Sequence, residues 1–170
     1  ERMMLKNRKL EKALEEAESY DEWKDLALAY DKERGRDRWR SNDVSSQYDH
    51  VSIRIRLDRL QSQRARHDYA GLLFTLNEGI HGNMGGMGKS SLYEPALFGT
   101  KQLIVDYVDE IASALELLAS PAVDDISFEE KLDFFRRAHH CFGRSALMMS
   151  GSGMLLYFHI GVAKALWEQR

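Results

Sequence analysis

The chain reads as a mainly α protein that finishes in a single βα unit. Three observations carry that expectation. Leu103, Ile104, Tyr107, Val108, Ile111, Leu115 and Leu118 recur at three- and four-residue steps, the mark of an amphipathic helix. Two capping boxes, Ser19 with Glu22 and Ser127 with Glu130, announce further helix starts. Near the C-terminus the apolar run Ala146-Leu147-Met148-Met149 enters a small-residue loop, Ser150-Gly151-Ser152-Gly153. An amphipathic segment ending Ala165-Leu166-Trp167 leaves that loop.

Taken in order, residues 2–18 place Met3, Leu10, Ala13, Leu14 and Ala17 on one narrow helical stripe. The first capping box starts a helix from Glu22 to about Glu33, with Trp23, Leu26, Ala27 and Tyr30 on its apolar face and Gly35 ending it. Residues 36–48, with Trp39 among many polar groups, read as a connector. Residues 51–60 read two ways. Val51, Ile53, Ile55 and Leu57 alternate with polar residues as in a strand, yet Leu60 breaks the alternation and Gln61–Arg66 favours helix. Tyr69 to Ile80 forms a helix through Leu72, Leu73 and Leu76, and a Gly-rich loop from His81 to Lys89 ends it. The helix of Gly99 to Ala119 stops at Pro121. The second capping box opens a helix carrying Phe128, Leu132, Phe134, Phe135 and Ala138, closed by Gly143. A short strand over 145–149 and a helix over about 158–169 complete the chain. The boundary falls near Phe142-Gly143, giving a helical region 1–142 and the start of an α/β domain at 143–170.

Composition narrows the function classes. With 44% hydrophobic and 30% charged residues, the chain is globular. Its formal charge of −3 selects no charged partner. From Lys32 to Arg66, however, ten Lys/Arg face five Asp/Glu, an excess of the kind that meets an anionic surface. Arg54, Arg56 and Arg59 are the candidates for such contact; a solvated face with internal ion pairs is the plainer reading. Cys141 is the only cysteine, so no intrachain disulfide forms. No signal-peptide pattern opens the chain, and no window reaches the roughly eighteen apolar residues of a membrane span. Membrane contact is therefore expected to be peripheral, and the location intracellular. The missing initiator methionine suggests a piece of a longer polypeptide.

Two motifs are set aside. Gly88-Lys89-Ser90 lacks the Gly five positions earlier that a phosphate-binding loop needs, since Asn83 stands there; a flexible connector fits better. His139-His140-Cys141 puts adjacent ligands on different helical faces and has no second cluster; histidines at a helix C-terminus fit better. Asp124-Asp125 and Glu129-Glu130 suit a helix start, and Trp23, Trp39 and Trp167 read as core or interface anchors. No metal and no cofactor is expected. The loop Gly151-Ser152-Gly153 is the site worth keeping. A strand–Gly turn–helix junction aims main-chain N–H groups at a negative oxygen, as an oxyanion hole does. Dinucleotide binding would need Gly at 156, where Leu156 stands.

The residues from Gly143 to Gly153, followed by Phe158-His159-Ile160-Gly161-Val162-Ala163-Lys164-Ala165-Leu166, resemble the first strand, Gly-rich loop and first helix of patatin-like lipases. Upstream, Ser19-Tyr20-Asp21-Glu22-Trp23, His81-Gly82-Asn83-Met84-Gly85, Leu92-Tyr93 and Gly99–Ile104 resemble the helical N-terminal domain of the triacylglycerol lipase branch. The likeness runs from about residue 12 to the end and favours helix at 51–60. It implies an α/β/α serine acyl hydrolase with a Ser–Asp dyad, acting on triacylglycerol or phospholipid at a membrane or lipid-droplet surface. A homo-oligomer and a lipid partner fit that picture; nucleic acid does not. The family's serine lies on a G-x-S-x-G elbow. No serine here has Gly two positions before and after it, so no catalytic residue is expected within the chain, and the Ser and Asp are expected beyond Arg170. The resemblance carries over only the oxyanion loop, Gly151, Ser152, Gly153 and Met154. Ser152 replaces the middle glycine of the usual triplet, and Leu156 replaces a further glycine. The rival expectation is a non-enzymatic helical module that docks on protein or membrane.

Overall fold

A computed structural model describes residues 2–79, 83–142, 147–151 and 153–168. Eight α-helices occur among them: α1 (Arg2–Glu16), α2 (Tyr20–Glu33), α3 (Arg36–Ser41), α4 (His50–Ala65), α5 (Tyr69–Gly79), α6 (Gln102–Ala119), α7 (Phe128–Phe142) and α8 (Leu156–Glu168). Short 3₁₀ turns at Met84–Gly86, Ser90–Leu92 and Gly153–Leu155 punctuate the connections.

The caps form where the sequence puts them. Ser19 Oγ accepts from Glu22 N–H at 3.2 Å, and Ser127 exchanges bonds with Glu130, Ser127 N–H donating to Glu130 Oε2 at 3.2 Å. Gly35 ends α2 in the left-handed conformation, with φ of 70°. Helix α4 settles the double reading of residues 51–60. Asp49 caps it by accepting from Ser52 N–H at 3.0 Å. A strand would bury 51, 53, 55 and 57 together. The helix instead buries Ile53, Leu57 and Leu60 and leaves Val51 and Ile55 in solvent.

Helices α4 and α6 form the central pair, and α5 packs across both. The core joins Ile53, Leu57 and Leu60 to Leu72 and Leu76 of α5, and to Leu103, Ile104, Tyr107, Ala114 and Leu118 of α6. Val123, Ile126, Phe134 and Ala138 close it beside α7. An ion pair with one buried end ties α4 to α6: Arg64, 42% exposed, grips the buried Glu110 with two bonds, at 2.7 and 2.8 Å. That bond raises the Arg64 pKa and keeps the guanidinium charged.

The connector expected over 36–48 contains α3, because its side chains build a polar latch. Asp31, 3% exposed, accepts from Leu97 N–H at 2.9 Å, from Phe98 N–H at 3.2 Å and from Arg40 Nη2 at 3.2 Å. Lys101, 2% exposed, donates to the carbonyls of Trp39 (2.7 Å) and Asn42 (2.8 Å), with Trp39's ring 4.6 Å away. Burial lowers the Lys101 pKa. With Thr100 also turned inward onto the Leu92 carbonyl, α6 begins at Gln102 rather than Gly99.

The loop around the Gly-Lys-Ser tripeptide is pinned rather than loose. Asn83 Oδ1 accepts from Gly88 N–H at 2.9 Å, the Gly85 carbonyl accepts from Asp49 N–H at 2.8 Å, and buried Met84 takes the Tyr107 hydroxyl on its sulfur. Gly85, at φ of 57°, lies so close to Ile53 that a Cβ there would sit 3.2 Å from its Cδ1.

No strand occurs among the described residues. Of the strand expected over 145–149, residues 145 and 146 lie outside the described residues, and Leu147–Met149 form no ladder. A strand needs a neighbour to take its N–H and C=O groups, and the described residues offer none. Leu147 nevertheless shares a shallow hollow with Ala163, Leu166 and Trp167, so the segment doubles back along α8. Helix α8 starts at Leu156, two residues before the expected start, and none of its residues is buried.

Candidate functional site

The candidate oxyanion loop joins the segment 147–150 to α8. Ser152 lies outside the described residues; Gly151, Gly153 and Met154 are described. Neither Gly151 nor Gly153 has positive φ, and a Cβ built on either would meet nothing within 4 Å. Packing within this chain therefore does not demand glycine at these positions. Met154 is 94% exposed, as the second residue of the 3₁₀ turn that feeds the helix. The first turn of such a helix leaves N–H groups without intrahelical partners, which is what an oxyanion site requires.

One residue holds this junction that sequence reasoning missed. His159, in the first turn of α8, brings Nε2 to 3.1 Å from the Ser150 carbonyl and 3.4 Å from its hydroxyl. A carbonyl only accepts, so Nε2 carries the proton in that bond. It then cannot take a proton from Ser150, and the pair is a structural clasp rather than a nucleophile with its base. The spacing of nine residues across a glycine loop gave no local signal of it.

The three arginines proposed for surface contact lie along α4. Arg54 clasps Asp43 through Nε (3.2 Å) and Nη2 (2.6 Å), which raises its pKa. Arg59 pairs with Glu78 at 3.6 Å. Arg56 is half-buried, and its Nη1 occupies the space beside Gly79, 2.8 Å from where a Cβ would stand. Elsewhere in the basic stretch, Arg34 pairs with Glu11, Arg40 with Asp31 and Arg64 with Glu110. Much of the local positive excess is thus consumed inside the chain, as an ion-paired face would have it. Exposed pairs are weak, however, and Arg59 remains half in solvent.

Among the described residues no group of His, Cys, Asp and Glu could hold a metal ion. Cys141 is exposed. Trp23 packs edge-on against Phe98 and Trp39 lies under Lys101, as anchors should. Trp167 is 70% exposed beside Leu147 and Leu166. No described helix is long and apolar enough to cross a membrane.

Comparison with known proteins places these features in a family. Residues 2–140 match the profile described as Domain of unknown function (DUF3336). Triacylglycerol lipase ptl2 of Schizosaccharomyces pombe is 35% identical over 162 residues, covering 95% of this chain and 25% of that protein. A patatin-like phospholipase domain-containing protein of Yarrowia lipolytica is 37% identical over 166 residues, 96% of this chain and 20% of its own length. Triacylglycerol lipase ptl1 of the same fission yeast is 36% identical over 151 residues, 89% of this chain and 27% of its length. The chain therefore spans about a quarter or less of the curated relatives named here. No solved structure matches. With the family profile reaching across α1 to α7, this chain belongs to the DUF3336 family, and its relatives carry the names of patatin-like lipases.

Proposed function

We propose that the chain is the N-terminal part of a patatin-like serine lipid acyl hydrolase that acts on triacylglycerol or phospholipid. In this reading residues 1–142 are the helical lipase N-terminal domain and 143–170 begin the catalytic α/β/α domain. Gly151, Ser152, Gly153 and Met154 contribute main-chain donors to the oxyanion hole. The serine nucleophile and its aspartate lie outside the chain.

The observation that carries the reading is the state of α8. Tyr157, Phe158, Ile160, Leu166 and Trp167 are each more than half exposed, on several sides of one helix. A helix that leaves large apolar side chains exposed on several sides, beside the ion pair Lys164–Glu168, suits the interior of a larger structure. Leu147 already lies along it, as a first strand would beside its returning helix. A covering sheet would also bring groups up to the open space around Gly151 and Gly153, where side chains would obstruct a substrate carbonyl. The named lipases among the relatives point the same way.

The helical region would hold the enzyme at a lipid surface, with Arg54, Arg56 and Arg59 toward it, or support a homo-oligomer. Arg54 and Arg59 would meet that surface while paired with Asp43 and Glu78. Flotation with anionic vesicles tests it: binding lost at high salt and on charge reversal of the three arginines supports surface contact, and salt-independent behaviour opposes it. The hydrolase reading is tested by assaying ester hydrolysis of the longer protein beside this chain. Activity in the longer protein alone is the expected result. Activity in this chain, or none in either, would overturn it.

A further inference from the structure

An apolar groove lies between the C-terminal end of α6 and one side of α7, away from the loop at 151–154. Ala119, Ser120 and Pro121 form one wall. Phe128, Leu132 and Phe135 form the other, joined by Lys131. Positions 128, 131, 132 and 135 make a complete helical stripe. The core takes Phe134 and Ala138 of α7, with Phe135 packed against its edge. Phe128 and Leu132 are therefore surplus to the core, and they are 77% and 37% exposed.

The groove encloses about 370 Å³, within the usual range for small-molecule sites. A methylene fills about the room of a water, roughly 30 Å³, so the space suits a chain of about a dozen carbons. Its polar element is Lys131. The ammonium donates to the carbonyls of Ser120, at 3.2 Å, and of Val123. Those two bonds fix Nζ at the groove and leave one of its three N–H donors unspent. Lys131 has no carboxylate within ion-pair distance among the described residues. The acidic neighbours are engaged or turned aside: Glu130 caps Ser127 and lines the opposite groove toward α5, and Asp133 pairs with Arg137 at 3.1 Å. Glu129 falls outside the stripe.

We propose that this groove binds a free long-chain carboxylate, its acyl chain along Phe128, Leu132 and Phe135 and its headgroup on the Lys131 ammonium. A single fixed cation at the end of an apolar slot selects an amphiphile with one negative end. The ligand is of the class a lipid acyl hydrolase releases, but the binding rests on the groove alone and does not require that activity.

The test uses this chain and dodecanoate below its micelle threshold, followed by titration calorimetry and by amide shifts in NMR. Saturable one-to-one binding is expected, with shifts concentrated at 119–121 and 128–135. Dodecanol should bind about fivefold more weakly, because it lacks the charge that Lys131 meets. Leu132→Trp, which fills the groove from a part-exposed position, should weaken dodecanoate at least about tenfold. Lys131→Met should erase the difference between acid and alcohol. Because Lys131 also ties down two carbonyls, the acid–alcohol comparison on the unaltered chain stands as a check that needs no variant. Absence of saturable binding, equal affinity for acid and alcohol, affinity unchanged in a folded Leu132→Trp, or shifts confined to α8 would each overturn the proposal. Loss of ester hydrolysis in the longer protein would bear on the enzyme reading and leave these results intact.

Discussion

Replacing Asp31 by Ala should detach the segment 96–101 from α2 and α3. The carboxylate is 3% exposed and serves three donors, Leu97 N–H, Phe98 N–H and Arg40 Nη2. Its removal leaves two main-chain donors without their acceptor and a guanidinium, 16% exposed, without its counter-ion. Arg40 keeps only its bond to the Phe98 carbonyl, and its Nε already lacks a partner. Breaking a buried pair by deleting one member costs about 3–5 kcal/mol. A typical domain has about 5–15 kcal/mol in total, so the variant should be near the edge of stability. Asp31→Asn keeps the shape and one acceptor but sets an amide NH₂ against existing donors, so about 2–3 kcal/mol is expected. Urea unfolding followed by circular dichroism measures both, and hydrogen exchange at Leu97 and Phe98 should quicken in the same order. A loss below about 1 kcal/mol for Asp31→Ala would refute the latch as a source of stability.

Leu57→Ala empties a site that is 1% exposed at the α4–α6 contact, and should cost about 2–5 kcal/mol in the same urea assay. Gly85→Ala puts a side chain at φ of 57° against Ile53; a loss of about 1–2 kcal/mol is expected, and unchanged stability would contradict the pinned loop. Burial raises the Tyr48 pKa to about 12. From pH 10 to 12 the unfolded chain therefore loses this phenolic proton before the folded one, and stability falls with rising pH. Tyr48→Phe loses the bond to the Asp43 carbonyl and is less stable at neutral pH. The gap between the two proteins should narrow over that alkaline range; a constant gap would count against the shift.

Local signals made much of this fold legible. The caps at Ser19 and Ser127 act over three residues, and the stripe of α6 acts over its own length, so both can be read without tertiary knowledge. Residues 51–60 resisted because the alternation pointed to a strand while Leu60 and the residues after it pointed to a helix; the face that α6 offers to Ile53, Leu57 and Leu60 decides between them. The arginines show the same limit. Counting charges finds the excess at 32–66, but the partners of Arg59 and Arg64 stand at Glu78 and Glu110, too distant in sequence to be paired by inspection. The apolar residues of α7 were visible as a set, but not which of them face inward: Phe134 and Ala138 enter the core and Phe128 does not. At the candidate site the small residues and the following helix were visible in the sequence. The His159 clasp was not, because it depends on how the loop turns back.

The proposal that residues 151–154 aim main-chain donors at a reacting ester is tested most directly by Met154→Pro in the longer protein. Proline is tolerated in the opening turn of a helix, so the change deletes one N–H and little else. The account predicts that kcat falls about 10²–10³-fold with KM and helical content nearly unchanged. An unaltered kcat in a folded variant would contradict it.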